Sequence, residues 1–187
     1  MQFNTFNTLF TVILISCLSV NAQELTEKFT VNSEGVNGQI VIEAEGSAME
    51  LYQNAKRHLQ DRFVNPDNAI LLDMEGETLR YKAFSPTLWT YKAMLVSADY
   101  YLGYVMTIDF KDGRMRLTYS NMESRSKFSD GTRAGYDLDQ TIKGLYRKNG
   151  KITSRFEGMP EAFENYMNLE ALIIKSGSQG ETKKDDW

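Results

Sequence analysis

The sequence predicts an α+β domain in which an antiparallel curved sheet of about five strands carries two main helices packed on one face. Three observations support this prediction. A short alternating strand leads into a capped amphipathic helix, further strands with a tight hairpin follow, and a second amphipathic helix comes near the C-terminus. Strands with one apolar and one polar face are typical of an antiparallel sheet that is covered on a single side.

The first strand and the first helix have the clearest signals. Residues 39–45 alternate as a short strand does, and Gly46 ends that pattern. Ser47 and Glu50 have the spacing of a capping box, in which each side chain bonds the backbone amide of the other residue. Behind this cap, apolar residues recur with helical spacing at Leu51, Ala55, Leu59 and Phe63. They predict an amphipathic helix of about four turns.

The middle of the chain predicts a series of antiparallel strands. Their expected ranges are 69–74, 78–83, 89–96, 100–110 and 114–120. Between the last two strands, Asp112-Gly113 predicts a tight hairpin, because both residue types tolerate the positive φ values that such a turn requires. In the last strand the apolar residues alternate with arginine and threonine, so one of its faces is expected to be polar.

The C-terminal part predicts fewer elements. Residues 121–136 are rich in Ser, Arg, Asp and Gly and predict a long irregular connection. Residues 137–146 predict a short helix. Pro160 opens the second main helix at a position where its missing amide costs nothing, and Gly177 ends that helix.

The N-terminus predicts export. Residues 9–18 form an apolar run of about ten residues, which is too short to cross a hydrocarbon layer of about 30 Å, and small residues precede Gln23 as they do at a signal-peptidase site. The predicted organisation is a signal peptide over 1–22, a polar leader over 23–37, a single domain over 38–177 and a disordered polar tail over 178–187. In an alternative interpretation, Cys17 closes a lipoprotein box and anchors the protein through a lipid.

The composition excludes several classes of protein and of site. Cys17 is the only cysteine and lies in the predicted signal peptide, so the mature domain has no disulfide, cysteine nucleophile or thiolate zinc site. A net charge of −4 and scattered cations argue against nucleic-acid binding. We expect no cofactor and no transmembrane span in the mature chain.

Two stretches resemble a known family. They are IVIEAEGSAMELYQNAKRHLQDRF, with its small-residue turn into a helix, and YVMTIDFKDGRMRLTYSNME, with its Lys-Asp-Gly hairpin and arginine-bearing strand. Over residues 39–123 the chain resembles the exported proteins grouped as domain of unknown function 4468 (DUF4468). The resemblance implies a TBP-like fold and an exported location in Gram-negative bacteria. It implies no activity, cofactor or catalytic residue, and a shared topology carries no DNA binding with it.

One histidine and several carboxylates are the candidates for catalysis or metal binding. His58 is the only histidine, and without a second His or a Cys a place on the helix boundary is favoured over zinc ligation or general-base catalysis. A hydrolase of glycans needs an acid and a base on either side of one bond. The carboxylates considered for these roles are Asp73, Glu75, Glu77, Asp109 and Asp112. Asp137 and Asp139 lack the spacing of an EF-hand calcium loop.

Aromatic residues in the middle strands are the candidates for a binding surface. If Trp89 and Tyr91 point away from the helices, they form with Tyr101 an exposed platform to which Arg114 and Arg116 add a charged rim. Alternatively, these aromatics line the core that faces the helices, as strand propensity alone would explain.

The function that these observations favour is non-catalytic. The sequence predicts an exported binding or interaction module of the bacterial cell envelope, located in the periplasm or outside the cell, with an envelope protein, a peptide or a glycan as its partner. Two alternatives remain open: a carboxylate-dependent hydrolase of envelope or glycan material, and an accessory subunit that pairs through a sheet edge.

Overall fold

The structure is a computed structural model that describes residues 25–93 and 96–180, and it shows a mixed α+β domain built on antiparallel strands. The predicted signal peptide over 1–22 and the lipidation candidate Cys17 lie outside the described residues, as does most of the predicted tail. Among the described residues, no helix combines the length and the apolar character needed to cross a membrane.

The strands, in chain order, are β1 (Thr30–Asn32), β2 (Gly35–Asn37), β3 (Gln39–Glu43), β4 (Ile70–Met74), β5 (Thr78–Phe84), β6 (Trp89–Ala93), β7 (Val96–Lys111), β8 (Arg114–Phe128) and β9 (Arg133–Asp137). The helices are α1 (Ala48–Arg62), α2 (Pro66–Ala69), α3 (Leu138–Leu145) and α4 (Met159–Ser178), and a 3₁₀ helix spans Ser154–Phe156. Strands β1 and β2 form a separate hairpin. The main sheet has the order β3-β8-β7-β5-β4, with β6 also paired to β7 and β9 to β8.

The main sheet therefore has seven strands within the described residues, more than the five or so predicted. The strand that no predicted range covers is β9, which lies in the stretch 121–136 that was expected to be irregular. There β8 continues as far as Phe128, and β9 follows as a new edge strand. The continuation passes through a β-bulge at Asn121, whose φ is +48°, where β8 gains one residue relative to β7. The bulge breaks the alternation of side chains that a strand prediction relies on.

The core lies between the sheet and the helices. Helix α1 begins at the predicted capping box: the Ser47 amide donates to Glu50 Oε2 at 2.8 Å, and the Glu50 amide donates to Ser47 Oγ at 3.3 Å. Its predicted apolar face is buried at Leu51, Ala55 and Leu59. The helix packing differs from the prediction, because α1 lies on β5 and β7, α4 packs on α1 and β1, and α3 lies against β2 and β8.

The segment predicted as a polar leader is folded from Leu25 onward. Phe29 is fully buried, and its ring meets the ring of Tyr119 edge-on at a centroid distance of 4.8 Å. Two side chains of α4 hold its backbone: Asn168 bonds both the amide and the carbonyl of Phe29, and Glu164 accepts from the Val31 amide at 2.8 Å. Among the described residues, the stretch 25–37 is therefore part of the folded domain, because Leu25, Phe29 and Val31 are buried in its core.

Within the part of the chain that the structure describes, one carboxylate is buried in the core. Glu170 of α4 is only 1% exposed and forms two parallel hydrogen bonds with the Arg62 guanidinium at 2.7 and 2.8 Å. The hydroxyls of Tyr81 and Tyr104 also donate to Glu170, at 2.8 and 3.0 Å. Burial raises the pKa of both tyrosines, and the Glu170 carboxylate raises them further, so both phenols remain donors. This network joins the end of α1 to α4 and to the sheet.

Candidate functional site

Trp89 and Tyr91 lie on the side of the sheet that bears the helices. Strand β6 pairs with β7 in a register that sets Trp89 opposite Tyr100 and Tyr91 opposite Ala98. The even-numbered residues of β7, such as Ala98 and Met106, point into the core. Residues directly opposite each other in an antiparallel pair share a face. The structure therefore shows the helix-facing arrangement that the sequence left open, and the two aromatics do not stand on the uncovered face.

The side chains of Trp89, Tyr91, Tyr100 and Phe156 pack together, and we call them the aromatic cluster. Trp89 and Tyr91 are stacked, with ring centroids 6.2 Å apart and planes inclined by 27°. The centroid of the Phe156 ring lies 5.8 Å from that of Trp89 and 6.1 Å from that of Tyr91. The centroids of Tyr100 and Trp89 are 5.5 Å apart. All four side chains are only partly buried. They form one contiguous group of rings, each of which remains partly accessible to solvent.

The position of the cluster follows from the edge of the sheet. Within the described residues, β7 is the only strand that pairs with β6, so the side chains of β6 extend the core outward along that edge. The 3₁₀ helix brings Phe156 onto them, and it is held by the Thr153 amide, which donates to the Leu145 carbonyl at 2.9 Å. The Arg155 guanidinium lies 4.9 Å from the centroid of the Phe156 ring. Burial raises the pKa of Tyr100, and Arg155 partly opposes this shift.

The other predicted site residues lie on the opposite, helix-free face. Tyr101 is odd-numbered in β7 and pairs with Arg125, whereas Arg116 pairs with Asp109 eight positions further along the same strand. At about 3.3 Å per residue, that separation is roughly 26 Å. Arg114 lies next to the hairpin, still further from Tyr101. The structure thus brings Trp89 and Tyr91 together, separates them from the other three, and leaves Tyr101 apart from both arginines.

Sequence reasoning missed several neighbours of these residues. Phe156 and Arg155 lie in a stretch without periodicity, where no pattern indicates their proximity to Trp89. On the helix-free face, the Arg125 guanidinium lies 4.7 Å from the centroid of the Phe84 ring, and a Cβ at Gly103 would approach that ring to 3.0 Å. Phe84 is 57% exposed. A glycine in a strand interior was the available signal, because it permits close approach of a neighbouring group.

Two of the candidate carboxylates, Asp73 and Glu75, line a polar groove of about 500 Å³ beside α1. Lys56 Nζ lies 2.6 Å from Asp73 Oδ2, and the Tyr52 hydroxyl donates to Asp73 Oδ1. Burial alone would raise the pKa of Asp73, but the hydrogen bonds from Lys56 and Tyr52 lower it overall. A general acid needs a raised pKa. The pKa of Asp73 is therefore shifted in the direction opposite to the one that a general acid needs.

Four of the remaining carboxylates have structural partners. Asp109 accepts from Thr78 and Arg116, and Asp112 accepts from the Ala48 amide at 2.8 Å at the start of α1. Asp137 caps α3, and Asp139 accepts from the Val36 amide and from Lys143. Glu77 follows the β4–β5 turn, where its amide donates to the Met74 carbonyl. Within residues 25–93 and 96–180, no group of three or more His, Cys, Asp or Glu side chains is placed to hold a metal ion.

His58 lies at the contact between α1 and α4. A Cβ at Gly177 would fall 2.5 Å from His58 Cγ, so the absence of a side chain there lets the imidazole pack against the α4 backbone. Its Nε2 atom is buried and forms no hydrogen bond within the described residues. Burial lowers the pKa of His58, and the charge of Arg62 lowers it further. This geometry is that of a helix-packing residue.

Comparisons with known proteins place the fold. No family model matches the sequence, and no curated protein sequence matches it significantly. The structure is similar to the crystal structure of a DUF4468 family protein from Bacteroides ovatus, with a TM-score of 0.59 and 12% identity over 82% of this chain and 92% of that one. It is also similar to a TBP-like protein from Parabacteroides distasonis, with a TM-score of 0.52 and 16% identity over 75% and 90% of the two chains. The fold that the resemblance implied is therefore confirmed: this chain has the fold of a DUF4468 family protein and of a TBP-like protein.

Proposed function

We propose that the protein is an exported, non-catalytic binding module of the bacterial cell envelope and that the aromatic cluster is its ligand-binding face. The observation that carries this proposal is the stacked, partly exposed pair of Trp89 and Tyr91, which Phe156 extends into one surface. Aromatic side chains of this kind dominate the energetics of binding surfaces. Arg155, beside Phe156, adds a cation at the rim.

The shape of the cluster indicates the class of ligand. A group of partly exposed aromatic rings suits a flat or ring-shaped group, such as a sugar ring of a glycan or an aromatic or proline side chain of a peptide. Each such stacking contact contributes about 0.5–1.5 kcal/mol beyond the area that it buries. The partial burial of Trp89 and Tyr91 fixes their orientation before binding, which reduces the entropy lost when a ligand docks.

The exported location is part of the proposal. It is supported by the apolar run at residues 9–18 and by the resemblance to exported proteins. Mass spectrometry of the mature N-terminus tests it. A chain that begins at Gln23 supports signal cleavage after Ala22, a lipidated N-terminal Cys17 supports the anchored alternative, and a chain that retains residues 1–22 contradicts export by either route.

The ligand-binding proposal is tested with Trp89 as its own probe. The chain has two tryptophans, Trp89 and Trp187, so a Trp187→Phe variant reports on Trp89 alone. This variant is titrated with oligosaccharides of cell-wall glycans and with short peptides that contain Tyr, Phe or Pro, and its fluorescence is followed. We expect a saturable change for at least one ligand class. No response to either class would contradict the proposal.

Matched variants locate the binding site of any ligand found. Calorimetry compares Tyr91→Ala, in the aromatic cluster, with Tyr101→Ala, on the opposite face. We expect the affinity to fall by about tenfold or more in Tyr91→Ala and to stay within about twofold in Tyr101→Ala. Equal losses in the two variants would show that the aromatic cluster is not the binding face.

A carboxylate-dependent hydrolase is the second candidate function, because Asp73 and Glu75 line one polar groove. The test is release of chromophore from aryl glycosides by the natural protein and by Asp73→Asn. Hydrolysis that Asp73→Asn abolishes would favour the enzyme. We expect no such activity, because the lowered pKa of Asp73 does not suit a general acid and because both of its oxygens are already bonded, to Lys56 and to Tyr52.

A further inference from the structure

A second cavity lies on the helix-free face, at the end of the sheet where the β7–β8 hairpin turns. It has a volume of about 220 Å³ and is lined by Val41, Asp109, Lys111, Arg114, Met115 and Arg116. Its accessible walls are almost entirely carbon, with the charged ends of the long side chains around them. The aromatic cluster occupies the other face of the sheet, so the two sites are separate.

The residues that line this cavity include three cations and one carboxylate. Arg116 is paired, because its Nε and Nη2 atoms donate to Asp109 Oδ2 at 2.9 and 2.8 Å. Asp109 is held in turn by the Thr78 hydroxyl at 2.9 Å. This ion pair keeps Arg116 along the sheet as one wall of the cavity. Lys111 and Arg114 form no ion pair within the part of the chain that the structure describes.

Lys111 and Arg114 also face each other. The two residues are directly opposite in the register of β7 and β8, so both side chains project on the same face. Like charges in such a pair are destabilising. The turn residue Asp112 accepts from the Ala48 amide and forms no ion pair with either cation within the described residues. Glu43 is the register partner of Arg114 in β3 but forms no ion pair with it among the described residues. Lys111 and Arg114 thus lie side by side at the rim of the cavity, and neither is held in a direct ion pair among the described residues.

We propose that this cavity binds a small organic anion. Its acidic group lies between Lys111 and Arg114, where it relieves their mutual repulsion. Its apolar body packs against Val41 and the carbon stems of the surrounding side chains. The recognised chemistry is one carboxylate, sulfate or phosphate on a compact hydrocarbon or aromatic group. A purely inorganic anion uses the cations and leaves the carbon walls uncovered.

The experiment uses ¹⁵N-labelled protein and three probes of related size. Benzoate carries both recognised features, benzyl alcohol lacks the charge, and inorganic phosphate lacks the apolar body. We expect benzoate to cause saturable amide shifts at Val41, Arg114 and Arg116. We expect benzyl alcohol and phosphate each to bind more weakly by about tenfold or more. Benzoate shifts that do not saturate, or that map away from the hairpin, would overturn the proposal.

Charge-matched variants separate this site from general electrostatic attraction. Lys111→Gln/Arg114→Gln removes two charges at the cavity, and Lys82→Gln/Lys92→Gln removes two exposed charges elsewhere on the same face. We expect the first pair to weaken benzoate binding by about tenfold or more and the second to change it by less than about twofold. Equal effects of the two pairs would overturn the assignment, as would phosphate binding as tight as that of benzoate. Circular dichroism verifies that each variant is folded before it is titrated.

Discussion

Replacing Glu170 with glutamine tests whether the buried ion pair organises the core. The side chain accepts two hydrogen bonds from Arg62 and one each from Tyr81 and Tyr104. Glutamine keeps the size but removes the charge, and its amide nitrogen cannot accept. The Arg62 guanidinium, whose side chain is 29% exposed, then loses its counter-charge in a largely buried site. Removal of one partner of a buried pair costs about 3–5 kcal/mol.

The assay is urea unfolding followed by circular dichroism, with Glu161→Gln as the control. Glu161 lies in the first turn of the same helix and is exposed, so its removal is expected to cost only about 0.3–1 kcal/mol through the helix dipole. We expect Glu170→Gln to lower the free energy of unfolding by about 3 kcal/mol or more, and the melting temperature by about 6 °C or more for a domain of this size. A loss below about 1 kcal/mol would refute the role given to Glu170.

Replacing both partners distinguishes a missing counter-charge from a packing defect. In the double variant Arg62→Met/Glu170→Met no charge remains buried, so we expect it to recover part of the stability that Glu170→Gln loses. Recovery is incomplete because the Tyr81 hydroxyl still lacks its acceptor, at a cost of about 1–3 kcal/mol, whereas the Tyr104 hydroxyl keeps the Tyr166 hydroxyl as a partner at 3.1 Å. A double variant less stable than Glu170→Gln would show that shape, and not charge, dominates at this position.

Three further predictions concern stability. Gly177→Ala is expected to cost about 1–3 kcal/mol in urea unfolding, because the new methyl group would fall 2.5 Å from His58 Cγ; an unchanged midpoint would contradict this close contact. Asn121→Val is expected to cost about 1–2 kcal/mol, whereas Asn121→Gly is expected to be neutral, because the bulge requires φ of +48°; equal stability of the two variants would contradict the assigned bulge. The folded-state pKa of His58 is lowered, so the unfolded chain binds more protons and stability is expected to fall as the pH drops through about 6.5. His58→Gln should remove that part of the pH dependence, and an identical profile in the variant would exclude His58 as its source.

The sequence predicts helix α1 and the β7–β8 hairpin well, because their local signals agree with tertiary packing. The capping box of Ser47 and Glu50 places the start of α1, and the Asp112-Gly113 turn places the β7–β8 hairpin. Asp112 also accepts from the Ala48 amide, so the hairpin and the helix support each other. Periodicity could identify each element alone, but this contact joins residues far apart in the sequence and leaves no local pattern.

The part of β8 beyond Asn121 could not be predicted from periodicity. Beyond Asn121, the residues of β8 that face inward include Ser124 and Ser126, which are buried and polar. A strand prediction expects apolar residues at such positions. The Phe29 segment was mistaken for a leader for a related reason, because its backbone is held by side chains of Glu164 and Asn168 from the other end of the chain.

The same alternation that fills the core also fixes where the aromatic cluster points. In β7 the side chains alternate without interruption, so Tyr100 faces the same side as the buried Met106 and Ile108. Trp89, opposite Tyr100, must then share that side. A shift of β7 by one residue would turn the cluster to the helix-free face only by exposing Met106 and Ile108, at about 1.5–3 kcal/mol for each side chain. The orientation of the proposed ligand face is therefore set by the stability of the whole sheet and not by β6 alone.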